Sequence, residues 1–176
     1  MIFPTYFNSK KSLNLYGLTK DFNFLKDLYI NKKLPKVLML TGKKGSGKAT
    51  LINHLMFFIF DQTNYDDKIN KLKKNTNFYN QFSNNIFENI IYLSGSDFKN
   101  IKVEDIRNLK KKIYQTSISN KSRFIILDDV ELFNHNSLNA LLKLIEEPTK
   151  NNNFLLINNK TKPLLNTIKS RSFNTQ

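Results

Sequence analysis

No cysteine occurs in the 176 residues. Disulfides and cysteine-ligated zinc are excluded, and a thiol-free chain fits a reducing cytoplasm. Histidine is scarce: His54 and His135 have no partner at metal-ligand spacing, both read as structural, and no metal site is expected. Long apolar runs are missing too. The stretch 51–60 contains Asn53 and His54 and falls far short of the ~20 residues of a membrane span, so no membrane partner is expected. Met1-Ile2-Phe3-Pro4 lack a basic start and a long apolar core, so no secretory leader is expected. Acidic residues are outnumbered, 14 against 28 Lys and Arg, for a formal net charge of +14. Arginine is rarer still: Arg107, Arg123 and Arg171 stand against 25 lysines, and there are 26 asparagines. A basic surface attracts phosphate and releases counterions, which leaves direct DNA binding open. The joint enrichment in Lys, Asn, Ile and Phe is also what the coding bias of an AT-rich genome produces at solvated positions.

What is present suffices for a core. Forty per cent apolar residues with 15 Phe, in a chain of this length, fit one domain burying about two-thirds of its unfolded surface. Residues 13–34 show partial helical spacing (Phe22, Leu25, Leu28, Tyr29) that Pro35 breaks. Val37–Thr41 reads as a buried strand, 47–60 as a helix with Leu51, Leu55, Phe58 and Ile59 on its apolar face. From 61 to 88 the chain is polar and without a clean period, an insertion with at most one irregular helix. Strands follow at 89–93, 124–127 and 154–157. Helices are expected at 101–114, around Leu138, Leu141, Leu142 and Ile145, and at 164–168. Strands alternating with helices imply a three-layer α/β fold with a central parallel sheet over residues 1–176.

Gly42-Lys43-Lys44-Gly45-Ser46-Gly47-Lys48 follows the first strand directly and opens the next helix. This is the spacing of G-x-x-x-x-G-K-[ST], a loop whose backbone N–H groups cradle phosphates. Lys48 would reach the outer phosphates. Ala49 takes the Ser/Thr place and lacks the hydroxyl that holds Mg²⁺. Thr50 cannot replace it, because one residue along a helix turns the side chain by ~100°. Asp128-Asp129 ends a buried strand, where an acid holds Mg²⁺ through water. The next position usually needs Glu to orient the attacking water. Asp129 is one methylene shorter, and a misplacement of about 1 Å can cost ~10²-fold. ATP binding is left open, with Mg²⁺ held weakly if at all. Arg171, in Ser170-Arg171-Ser172, stands where lysine would serve for solubility, so a planar multi-donor role is indicated beside that of an ordinary surface arginine. Glu146-Glu147 before Pro148 read as a solvated helix end.

In this order, the pieces resemble the AAA+ domain of bacterial DNA polymerase III clamp-loader subunits, the delta-prime type in particular. The resemblance rests on the glycine-rich loop from Leu40 to Thr50 and on Ile101-Lys102-Val103-Glu104-Asp105-Ile106-Arg107. It continues through Ile126-Leu127-Asp128-Asp129-Val130-Glu131 and Ser137-Leu138-Asn139-Ala140-Leu141-Leu142-Lys143-Leu144-Ile145-Glu146-Glu147-Pro148, and ends at Thr167-Ile168-Lys169-Ser170-Arg171-Ser172. It implies a ring subunit that opens the sliding clamp and places it on primed DNA, with gamma/tau and delta subunits as partners in the cytoplasmic replisome. It also implies that this chain does not hydrolyse ATP, and that Arg171 reaches ATP held by the adjacent gamma/tau subunit. Ser172 stands where the family has Cys. The 176 residues end before the lid and the helical collar of such subunits, and they contain no zinc-binding cysteines. Two other readings stay open: an active gamma/tau-like ATPase, and a basic P-loop domain that binds DNA on its own.

Overall fold

The computed structural model describes Ser9 and residues 12–96, 103–114 and 122–175. In chain order the elements are α1 (Thr19–Ile30), β1 (Val37–Thr41), α2 (Lys48–Phe60), the short strands β2 (Tyr65–Asp66) and β3 (Lys71–Leu72), and α3 (Asn77–Ser83). Then come β4 (Ile90–Ser94), α4 (Val103–Tyr114), β5 (Arg123–Asp128), α5 (His135–Glu146), β6 (Asn152–Asn158), α6 (Asn166–Ser170) and β7 (Phe173–Thr175). The described residues form two compact units, one holding those up to Leu34 together with Gly47–Phe87, the other Pro35–Ser46 together with those from Glu88 onward. The expected helix 101–114 begins outside the described residues.

The second unit is a five-stranded sheet in the order β4-β5-β6-β1-β7, every neighbouring pair parallel. One face carries Val37, Met39, Ile125, Leu127, Phe154 and Leu156. It packs on Ile106, Leu109 and Ile113 of α4, Leu138, Leu141, Leu144 and Ile145 of α5, and Ile168 of α6. The alternate residues Leu38, Ile126 and Leu155 are equally buried, so these strands read as continuous apolar runs, the pattern of interior parallel strands. Helix α5 starts where the Asn134 side chain accepts the Ser137 N–H at 2.8 Å, an N-cap that satisfies an otherwise orphaned donor. The Arg123 guanidinium donates to the carbonyls of Lys112 (2.6 Å) and Ile113 (3.3 Å), which lie in the last turn of α4.

The first unit holds α1, α2, the β2–β3 hairpin and α3. The amphipathic helix expected at 47–60 is instead buried almost all round from Leu51 to Phe58. The insertion is more ordered than its period suggests. Asp66 turns the hairpin by accepting the N–H groups of Lys68 and Ile69, and the Thr76 hydroxyl caps α3 by accepting the Tyr79 N–H at 3.0 Å while donating to Asp61. Aromatic rings hold it. Phe57 meets Phe78 edge-on at 4.8 Å and Phe82 at 5.4 Å, and Phe78 meets Phe87 at 4.8 Å. Among the described residues, no helix is long and apolar enough to cross a membrane.

Candidate functional site

The glycine-rich loop continues the sheet before leaving it. The Gly42 N–H donates to the Asn158 carbonyl at 3.1 Å, extending the β1–β6 ladder, and the Ser46 N–H turns back to Lys43 at 3.3 Å. Residues 42–46 belong to the sheet unit and Gly47 onward to the helical one. Gly47 caps α2 at φ +85°, a left-handed conformation that suits glycine; a Cβ there would also meet Leu18 Cδ1 at 2.7 Å. Gly45 shares the positive φ. Lys43 and Lys44 are exposed, Lys48 is buried, and Ala49 and Thr50 are half-buried.

Asp128 and Asp129 come together at the carboxyl end of β5, and both are engaged. Asp128 Oδ2 accepts the Tyr92 hydroxyl at 2.6 Å, and Oδ1 accepts the Asp129 N–H at 2.8 Å. Burial raises the Asp128 pKa; the Tyr92 hydrogen bond opposes this, and the charges of Asp129 and Glu131 add to it. Asp129 sits at φ +49° and is buried, its Oδ1 accepting the Asn159 side-chain N–H at 2.7 Å. Its other oxygen lies 3.8 Å from Lys44 Nζ, so the loop and the strand end meet through this pair. Glu131, also buried, accepts the N–H groups of Asn159 (3.1 Å) and Thr161 (3.3 Å) and the Thr161 hydroxyl (2.7 Å). Glu131 thereby holds the segment after β6 against the end of β5, with Asn159 facing both aspartates.

Sequence reasoning missed Tyr92, Glu131, Asn159 and Thr161. The usable signal is strand order: β4 and β6 flank β5, so residues near their carboxyl ends are neighbours of Asp128. Tyr92 pairs with Ile126, two residues before Asp128, which puts its side chain on the same face as that carboxylate. Gly95 permits the close approach. A Cβ there would lie 2.5 Å from the Asp129 carbonyl oxygen and 3.0 Å from Leu132 Cβ. Gly95→Ala is expected to lower stability by about 1–3 kcal/mol, as overpacking does, read as a lower urea midpoint with unchanged slope.

Arg171 is not brought to the aspartates. Its Nη2 lies 2.7 Å from Glu146 Oε1, and its Nη1 donates to the Thr167 carbonyl at 3.2 Å. Glu146, read from sequence as a solvated helix end, therefore holds an ion pair. Ser170 and Ser172 turn their hydroxyls back onto the α6 carbonyls of Thr167 and Ile168.

Gly45 and Gly47 stand at positive φ, the Ala49 side chain carries no oxygen, and both Asp128 oxygens accept hydrogen bonds. Among the described residues, no group of three or more His, Asp or Glu is placed to hold a metal ion.

A family model described as DNA polymerase III, delta subunit, matches residues 17–176. The chain is similar to DNA polymerase III subunit delta' of Buchnera aphidicola subsp. Baizongia pistaciae, 27% identical over 157 residues, covering 81% of this chain and 44% of that protein. It is similar also to DNA polymerase III subunit gamma of Buchnera aphidicola subsp. Schizaphis graminum, 27% identical over 140 residues, 79% of this chain and 37% of that one. Among solved structures, a DNA polymerase III, gamma subunit-related protein from Thermotoga maritima shares the fold, with TM-score 0.62 at 20% identity over 86% of this chain and 44% of that one. The chain spans less than half the length of these relatives. Its central parallel sheet is that of a P-loop AAA+ protein, as the sequence led one to expect. With the match running from residue 17 to the last residue, the chain belongs to the family described as DNA polymerase III, delta subunit.

Proposed function

We propose that this chain acts as a non-hydrolysing, delta-prime-like subunit of the DNA polymerase III clamp loader. In this reading its glycine-rich loop (Gly42, Lys43, Lys44, Gly45, Ser46, Gly47, Lys48, with Ala49 and Thr50) is a phosphate cradle without a working metal site. Arg171 completes the ATP site of an adjacent gamma/tau subunit when the sliding clamp and primed DNA are engaged. Delta is the further partner, and the setting is the cytoplasmic replisome.

One observation carries the non-hydrolysing part. Asp128 and Asp129, the acids that would hold the metal's water and aim the nucleophile, already accept hydrogen bonds from Tyr92 and Asn159, and Lys44 lies beside Asp129. Ala49, in the place of Ser or Thr, supplies no hydroxyl. Family membership supports the clamp-loader setting, and a relative named gamma keeps an ATPase reading in view.

The purified chain with Mg²⁺ and ATP is expected to release phosphate no faster than its Lys48→Ala variant. Turnover that Lys48→Ala abolishes would overturn the proposal in favour of an active gamma/tau-like ATPase.

A further inference from the structure

The guanidinium of Arg171 is clamped from two sides. Glu146 takes Nη2 at 2.7 Å, and the Thr167 carbonyl takes Nη1 at 3.2 Å. Both anchors sit on elements fixed to the core. Leu141, Leu144 and Ile145 of α5 are buried just before Glu146, and Ile168 of α6 is fully buried one residue after Thr167. Each Nη nitrogen carries two hydrogens, so each bond leaves one N–H over, and the side chain is still 38% exposed. An unclamped arginine at this exposure would spread over many rotamers, which a partner's phosphate would have to select from.

We infer that Glu146 is a positioning residue for Arg171: it fixes the plane of the guanidinium so that its remaining pair of N–H groups faces an anion on a neighbouring molecule. The inference rests on the reading of Arg171 as a residue that acts on a neighbour's nucleotide. The effect is preorganisation, since donors already aimed need no reordering when the phosphate arrives. Arg107 supplies the internal contrast. It pairs at 3.3 Å with Glu104 on its own helix, and both side chains are well exposed, 69% and 59%. With three arginines in the chain, their guanidinium signals can be told apart.

Nitrogen-resolved NMR of the chain is expected to show slower rotation about Cζ–Nε for Arg171 than for Arg107. Glu146→Ala should abolish the difference and Glu146→Gln should restore part of it. An Arg171 as free as Arg107 overturns the inference. In a reconstituted loader, Glu146→Ala is expected to lower clamp-stimulated kcat about three- to five-fold at unchanged KM for ATP, the range of an exposed ion pair. Glu146→Gln should recover part of the loss, and Glu146→Ala should add nothing to Arg171→Ala. A rise in kcat, or no change while Arg171→Ala is impaired, overturns the inference alone. No loss with Arg171→Ala overturns the reading beneath it.

Discussion

A clamp loader reconstituted with the Arg171→Ala chain is expected to lose about 10³-fold of ATP turnover at the site facing this subunit, the lower end of what a trans arginine contributes. That is about 4 kcal/mol of transition-state stabilisation. The magnitude follows from charge. Phosphoryl transfer leaves little covalent work to the protein, and a guanidinium aimed at the transferring oxygens stabilises the charge that spreads over them. Arg171→Lys should recover little, because an ammonium is a point charge without the planar fork. Stability should barely move, since the side chain is 38% exposed and its ion-pair partner 43% exposed. Single-turnover ATP hydrolysis with clamp and primed DNA present, beside thermal melting of the chain, separates the two effects. Full turnover in the alanine variant would end the trans reading. A fall in turnover matched by a large fall in melting temperature would point to misfolding instead.

How far the sequence speaks depends on whether a feature is local. β1 is legible to the residue at Val37–Thr41, because a continuous apolar run between Pro35 and Gly42 has one reading. β6 begins two residues earlier than its apolar run. Asn152 and Asn153 are buried in the strand, their side-chain N–H groups donating to the Ile113 and Arg123 carbonyls, contacts that no local pattern announces. β7 carries no apolar run and stands at the sheet edge, so it was invisible. The insertion lacks a period because its strands are two residues long and α3 only seven; rings from α2 supply the order. The glycine-rich loop and Asp128-Asp129 are legible because spacing and strand context identify them. Tyr92, Asn159 and Glu131 join them only once the sheet order is known, and the pairing of Arg171 with Glu146 spans 25 residues without a local signal.

Acid should unfold this protein earlier than its carboxylates alone require, because of His54. The ring is fully buried on α2. Its Nε2 lies 3.3 Å from the Ser12 carbonyl, which can only accept, so Nε2 carries the proton. Nδ1 therefore accepts the Tyr65 hydroxyl at 3.1 Å. A second proton has nowhere to go but Nδ1, against that hydroxyl. Burial accordingly pushes the pKa from 6.5 down to about 4, the Ser12 hydrogen bond opposing it only in part. The unfolded chain takes up its proton near the ordinary value and the folded chain only near the lowered one. The contribution is complete above the ordinary value, falls away as the pH drops from there toward about 4, and levels off below. The full loss is about 3 kcal/mol, a large share of the ~5–15 kcal/mol of a typical domain. Asp128, whose pKa burial raises, acts in the opposite sense. Urea midpoints between about pH 7.5 and pH 4.5 should fall steeply for the parent chain and much less for His54→Gln, whose amide carries no titrating charge. Equal slopes for the two chains would place the acid sensitivity elsewhere.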